Sequence, residues 1–480
     1  MNDRDPGLPI HFGPCSNGEY QPEPLGPVVG EALAEARAAC DDHARRSGLS
    51  RREFLQSACA AATTLAVLDS LWGRALGAPA GGRYHIPPEA TLDPQAAAWV
   101  VGGDEFVFDV QGHLLDYDLN PAIRDAWFWG RQFPQADCGE DDPRACFSMG
   151  HFLEEMFIRS DTTMVALSGL PILPEGSPLP VEVMDETRRV VEALGRHQRV
   201  VINALVLPQL GPLPPVLEEM ERTTDAFPVA GWKTFTHFPS AWRLDDADPH
   251  LPQVGEAFLA QVARLGRPIL LVHKGLSGGS PHSSPADVGP AARRHPEISF
   301  IVYHSGFEAG MPEGPYTPAT AHRGVNRLIT SLREAGVGSG QNVYAELGST
   351  WWHLMRSPDQ AAHLLGKLIL HLGADNVLWG TDSIFYGSPQ GQIQAFRAFQ
   401  IGEQLQERWG YPRLTRSIKR KILGGNAARL FGVDPVTVPL DFDPAELEEV
   451  RRTLPVPNRT YGPRTPAEVR AFRAHHRGWP

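Results

Sequence analysis

The chain has 480 residues, 42% of them hydrophobic and 21% charged, with a formal net charge of -12 and a pI near 5.8. That length suits one large α/β barrel with extensions, or two ordinary domains. The acidic balance excludes the basic face that a nucleic-acid partner requires, and no apolar run is long and clean enough for a permanent membrane span, which leaves a small-molecule ligand as the default.

Residues 1–28 are rich in Pro and Gly and are expected to be unstructured. From Val29 to Arg46 the apolar spacing predicts a helix, with Gly48 as its stop. Next, Ser50, Arg51, Arg52, Phe54 and Leu55 open an apolar stretch from Ala58 to Leu68, and the small-residue APA at 78–80 suits a cleavage site. The stretch resembles a twin-arginine export signal, the alternative being a surface helix with a basic start. The expected organisation is thus a leader at 1–49, a signal segment at 50–80, a barrel at 104–435 and a tail at 436–480. The chain would be periplasmic or otherwise exported, or cytoplasmic if the signal is unused. Of the five cysteines, Cys15 and Cys40 precede the signal. Cys138 and Cys146 share a polar loop, where a local disulfide and two free thiols both stay open.

From residue 106 onward a pattern repeats: a short apolar run, a polar or Gly-rich turn, then a helical stretch. The predicted strands are 106–113, 163–169, 199–208, 229–237, 268–275, 299–306, 342–349 and 376–383, with amphipathic helices between them. Near-continuous apolar strands alternating with helices predict a helix-covered parallel sheet. Eight such units predict an α/β fold, a (β/α)8 TIM barrel with an N-terminal extension and a C-terminal tail. No Gly-rich dinucleotide fingerprint follows any strand.

In such a barrel, chemistry sits at the carboxyl ends of the strands. There the sequence places Gln111 and His113 on the first strand, Lys233 and His237 on the fourth, His273 on the fifth, His304 on the sixth, Glu346 on the seventh and Asp382 on the eighth. Gln111 and His113 are two apart and share one side of their strand. A lone strand-end His is more often a hydrogen-bonded structural residue than a ligand, and Asp382 after WGT suits a turn. What favours one shared site is the coincidence of metal-competent types at strands one, five, six and eight.

These residues carry a resemblance. DVQGH, LVHKG, YHSG, WGTDS and the closing KILGGNAARLFG at 421–432 resemble the amidohydrolase-related group, in particular the branch of aminocarboxymuconate semialdehyde decarboxylase and related metal-dependent hydrolases, over roughly 104–435. SRREF and GPCSNGEY resemble exported bacterial members of that group. The resemblance implies metal ligands at His113, His273 and Asp382, with Gln111 standing where a further His is expected. It also implies a general base at His304 and proton handling by Asp382. A carboxamide oxygen is a weaker and harder donor than imidazole. The adopted reading is therefore a retained but weaker site for one divalent metal, Zn or Mn.

The implied activity is hydrolysis, with a metal-activated water attacking an ester, lactone or amide of a small organic substrate. Non-oxidative decarboxylation of an aromatic or unsaturated acid is the alternative, and a metal-free barrel acting as a binding protein a further one. Arg131, Arg159 and Lys233 are candidate grips for a substrate carboxylate. Trp351 and Trp352 would wall the substrate pocket, and Trp127, Phe128, Trp129, Phe133 and Phe147 would form a lid or ordinary core. The Pro-rich tail would wrap a partner subunit, as in a homodimer.

Overall fold

Each of the eight apolar runs is a strand. The computed structural model describes residues 7–76, 81–119, 136, 138, 140–276, 279–438, 444–454 and 460–476. The strands are β1 (Phe108–Gly112), β2 (Met164–Ser168), β3 (Val200–Leu205), β4 (Val229–Phe235), β5 (Ile269–His273), β6 (Ser299–Tyr303), β7 (Val343–Glu346) and β8 (Val377–Leu378). They form one sheet in chain order, every neighbour parallel. A parallel bridge between Gly112 and Ser383, with Val110 N–H donating to the Trp379 carbonyl at 3.0 Å, joins first strand to last and closes the (β/α)8 TIM barrel.

Alternation along the strands sorts the side chains. On β5, Leu270 and Val272 pack outward with the helices, whereas Ile269 and Leu271 pack with Phe108, Val110, Ala166, Ile301 and Leu378 in a separate interior cluster. His273 continues the interior row one step further up. The first strand needs an irregularity to do the same. Asp109 pairs with Val165 and Gly112 with Leu167, three steps against two, so β1 carries a bulge between them. Phe108 and Val110 belong to the interior cluster, and the bulge then brings Gln111 and His113 to the cavity at the mouth. Asp109 secures it, accepting from the Gln111 amide at 2.9 Å and binding the Thr381 hydroxyl.

The barrel wears an N-terminal layer of three helices, α1 (Pro27–Arg46), α2 (Arg51–Leu55) and α3 (Ala58–Leu76). The Arg51–Arg52 stretch, expected as an export address, is here a short helix with a reciprocal Ser50–Glu53 capping box. It leads into α3, where Ala60, Ala61, Ala62, Leu65 and Leu68 are fully buried. APA at 78–80 lies outside the described residues. No helix among the described residues is long and apolar enough to cross a membrane.

The expectation of an unstructured start is corrected from residue 7 onward. Leu8, Ile10, Phe12, Cys15 and Tyr20 are buried, as are Ser16, Asn17 and Glu19. In the tail, residues 460–476 fold back on their own barrel. Tyr461 and Gly462 amides donate to the Phe385 carbonyl at 3.0 and 2.7 Å, and α6 (Pro466–His475) packs Phe472 against the same ring. Between these ends lie α4 (Gly348–Leu354), directly after β7, and α5 (Asn426–Phe431), which closes the barrel floor and stops at Gly432 in the left-handed region. Cys138 and Cys146 are disulfide-bonded, and Cys15, Cys40 and Cys59 are free and buried.

Candidate metal centre

At the carboxyl ends of the strands a small cavity is lined by Gln111, His113, Lys233, His273 and Asp382, together with Asn17 and Glu19 from the N-terminal segment. Its free space amounts to about 10 Å³, roughly room for one water.

His113 donates from Nδ1 to the Ser168 carbonyl at 2.8 Å, because that carbonyl can only accept. Its Nε2 faces Asp382 Oδ1 at 3.3 Å. The other Asp382 oxygen accepts from Asn17 Nδ2 at 2.8 Å and from Ser349 Oγ at 2.5 Å. Burial opposes ionisation of Asp382, but the His113 contact, with help from His304 and Ser349, holds it at about 2.

His273 stacks on Phe235 at 5.0 Å and meets the His304 ring edge-on at 4.7 Å. Burial keeps both imidazoles neutral: His273 lies well below the usual range, and His304 falls to about 3 despite the Asp382 charge. His304 (φ 60°) and Asp382 (φ 58°) both sit in the left-handed region, which ordinary side chains avoid at a cost of roughly 1–3 kcal/mol each. Hydrogen bonds fix both: the His304 amide donates to Glu346 Oε2 at 2.9 Å, and the Asp382 amide to the Gln111 carbonyl at 3.0 Å. Glu346 thus serves a backbone donor. Burial pushes its carboxyl well above the usual range, and Gly380 gives it room, since a Cβ there would collide with Oε1.

Lys233 is 1% exposed, its ammonium 3.6 Å above the Tyr303 ring and 4.6 Å from that of Phe235. Burial lowers it to about 7, against the pull of Glu19, Glu346 and Asp382.

Three groups differ from expectation. Trp351 and Trp352 do not line the cavity. α4 turns Trp351 outward against Phe396 and Phe399, its indole bound to the Gln392 carbonyl, and Trp352 stacks on Tyr386. Leu170, Pro171, Phe235 and Phe385 supply the apolar lining instead. Arg159 is tied to Glu154 away from the mouth, and Arg131 lies outside the described residues, as do Trp127, Phe128, Trp129 and Phe133. Phe147 is core, packed on Phe385 and Tyr461.

The expected ligands His113, His273 and Asp382 line one cavity without closing into a single tight triplet. Among the described residues, the one group of three His, Cys, Asp or Glu ligand atoms within 4.8 Å of one another is Glu19, His273 and His304. Sequence reasoning missed Glu19 and Asn17. The signal was present in GPCSNGEY at 13–20, the stretch that resembles exported members of the group, and in Phe12, Cys15 and Tyr20, apolar groups out of place in a solvated leader.

The site suits a cation on its own chemistry. Among the described residues, Gln111 Oε1 and His304 Nδ1 are buried with no hydrogen-bond partner, and imidazoles beside carboxylates are the donors that Zn²⁺ or Mn²⁺ takes.

Residues 180–433 match the family model described as amidohydrolase. None of the curated proteins matches the chain. Among solved structures, 2,6-dihydroxybenzoate decarboxylase from Rhizobium aligns at 16% identity over 68% of this chain and 99% of its own, with a TM-score of 0.40. A 5-carboxyvanillate decarboxylase from Novosphingobium aromaticivorans, complexed with manganese, aligns at 12% identity over 68% and 96%, TM-score 0.40. A proposed 2-pyrone-4,6-dicarboxylic acid hydrolase from Pseudomonas putida aligns at 17% identity over 69% and 98%, TM-score 0.40.

Proposed function

The chain belongs to the amidohydrolase family, and on that premise we propose that it is a metal-dependent hydrolase of a small organic ester, lactone or amide. The observation that carries the reading is the face-to-face pair of His113 and Asp382. With Nδ1–H committed to Ser168, His113 turns Nε2 toward a carboxylate oxygen 3.3 Å away. A proton on Nε2 or a cation between the two groups holds that separation. Each His113 feature is also that of a ligating imidazole, whose second ring nitrogen donates to a backbone carbonyl.

His113, His273 and Asp382 would hold the cation, with the Gln111 carboxamide oxygen as a further donor; that oxygen favours Mn²⁺ over Zn²⁺. When bound, a divalent cation polarises the scissile carbonyl and brings the pKa of a water toward about 7. The remaining work belongs to the chain. Asp382, kept ionised, accepts the proton of the attacking water, and His113 beside it steadies that carboxylate. His304, neutral and with Nδ1 free of any partner among the described residues, relays the proton to the leaving group. Lys233 sets an anionic substrate group against Tyr303 and Phe235.

Lys233 also favours a second reading. A cation buried in the mouth is the grip a decarboxylase needs on its substrate carboxylate, with protonation of the adjacent carbon then releasing carbon dioxide. One experiment separates the two. The full chain, loaded with Mn²⁺ or Zn²⁺, is given esters, lactones and aromatic carboxylic acids in ¹⁸O-labelled water. Incorporation of one label into a carboxylate product marks hydrolysis, and release of carbon dioxide marks decarboxylation. Inactivity of the loaded protein on all three classes would sink both.

A further inference from the structure

The barrel mouth is completed by residues that lie some ninety positions upstream of β1. Asn17 Nδ2 bridges Glu19 Oε2 and Asp382 Oδ2 at 2.9 and 2.8 Å, tying the N-terminal segment to the carboxylate at the end of β8. Arg473 of α6 clamps the same segment from above, donating to the Gly18 and Glu19 carbonyls at 2.7 Å each. Tyr20 Oη donates to the Cys15 carbonyl at 2.6 Å and pairs with Tyr386 Oη at 2.9 Å. Held this way, the Glu19 side chain is 5% exposed and points into the cavity, 3.6 Å from His273 Nε2.

That placement is costly for a carboxylate. Asn17 is a neutral donor, Asp382 adds a second negative charge, and the cations that act on Glu19 are Lys233, shared with Glu346 and Asp382, and Arg473, whose hydrogen bonds go to the Gly18 and Glu19 carbonyls. A buried carboxylate is kept at low cost only with a cationic partner. Position 111, meanwhile, gives the strand ends a carboxamide where an imidazole is expected, so they offer one strong donor too few. Glu19, His273 and His304 bring one ligand atom each within 4.8 Å of one another. Two imidazoles and a carboxylate form a donor set suited to Zn²⁺, Mn²⁺ or Co²⁺.

We propose that Glu19, contributed by the N-terminal segment, is a ligand of the catalytic cation and supplies the strong donor for which the weaker Gln111 carboxamide is no substitute. The proposal rests on the reading above that the mouth holds a cation. It has a consequence that a strand-only site lacks. If Glu19 ligates, docking of residues 13–20 and cation binding are thermodynamically linked, so each strengthens the other. The segment is then a structural part of the centre, and the cation fastens it across the entrance.

The test uses the full chain, stripped with a chelator and titrated with Zn²⁺, Mn²⁺ and Co²⁺ by calorimetry and by cobalt absorption. Hydrogen exchange of residues 13–20 is followed with and without metal. The expected outcome is one equivalent bound by the parent, affinity weaker by at least about 10- to 100-fold in Glu19→Gln, the scale seen on loss even of groups that only support a ligand, and a metal-induced protection of 13–20 that Glu19→Gln abolishes. Gln keeps the shape and can still accept from Asn17, so the variant retains the docked segment. If Glu19→Gln binds like the parent while His113→Ala does not, the cation sits on the strand ends alone; the proposal fails and the function stands. If the parent binds none of these metals, Mn²⁺ included, both fall. The exchange measurement on the parent needs no variant: protection confined to the strand ends, with 13–20 unchanged, overturns the proposal even if Glu19→Gln fails to fold.

Discussion

The interior of the barrel divides into two regions built from the same strands. Its lower part is apolar: Phe108, Val110, Ala166, Leu271, Ile301 and Leu378 pack together with no exposure. Its mouth, two residues further along, is a buried set of ionisable and amide groups: Gln111, His113, Lys233, His273, Glu346 and Asp382. Leu271 and His273 make the contrast on one strand. The lower region gains stability by removing apolar surface from water. The mouth gives some of it back, because every charge there is desolvated and two of its residues hold left-handed backbone. Stability and chemistry are thus separated along the barrel axis by a single step of the strand period.

The largest expected difference tests the lower region. Leu271→Ala should cost about 2–5 kcal/mol through lost transfer energy and a cavity that close packing cannot collapse. Chemical denaturation measures it, and a loss under 1 kcal/mol would mean that the lower barrel is not the stabilising half.

A smaller effect concerns residues 460–476, the strap that packs on Phe385 and clamps the Gly18 and Glu19 carbonyls. His476 is buried, its Nδ1–H bound to the Phe472 carbonyl at 2.9 Å and its Nε2 taking the Tyr117 hydroxyl at 2.6 Å. Burial lowers it to about 3 against an ordinary 6.5, the Phe472 bond opposing. Between these values the unfolded chain binds a proton that the folded chain refuses, so stability falls as pH falls from 6.5 toward 3. One pH unit into that window, at pH 5.5, the loss from this group is about 1.4 kcal/mol. Tm against pH reads it, and His476→Gln should flatten that part of the curve; an unchanged slope would show that His476 does not control the strap.

The smallest effect is expected at Glu346. Burial pushes this carboxyl well above its usual range, toward the protonated form, and a Gln still offers an oxygen to the His304 amide. Glu346→Gln should therefore change stability by less than about 1 kcal/mol. A loss above 2 kcal/mol would place an ionised, paired carboxylate there and blur the division between the two regions.

The strands were legible because their signal is local. All eight apolar runs with their intervening helices obey the two short periods of backbone geometry, and the residues that end them, among them Gln111, His113, Lys233, His273 and Asp382, were visible as interruptions of those runs. Beyond that reach the sequence misled. Residues 7–20 looked like a solvated leader because Pro and Gly dominate them, yet contacts with Asp382 and Phe385, some 365 to 370 positions away, bury them. Trp351 and Trp352 looked like a pocket wall because they follow a strand end, but the facing of α4 depends on Phe396, Phe399 and Tyr386. The tail read as an arm for a partner subunit because nothing nearby in the chain marks its contacts with its own barrel. Periodicity by itself determined the barrel and the strand-end half of its mouth. Only tertiary structure decided that the chain's own two ends complete it, since burial of those ends depends on surfaces that exist only after the barrel has closed.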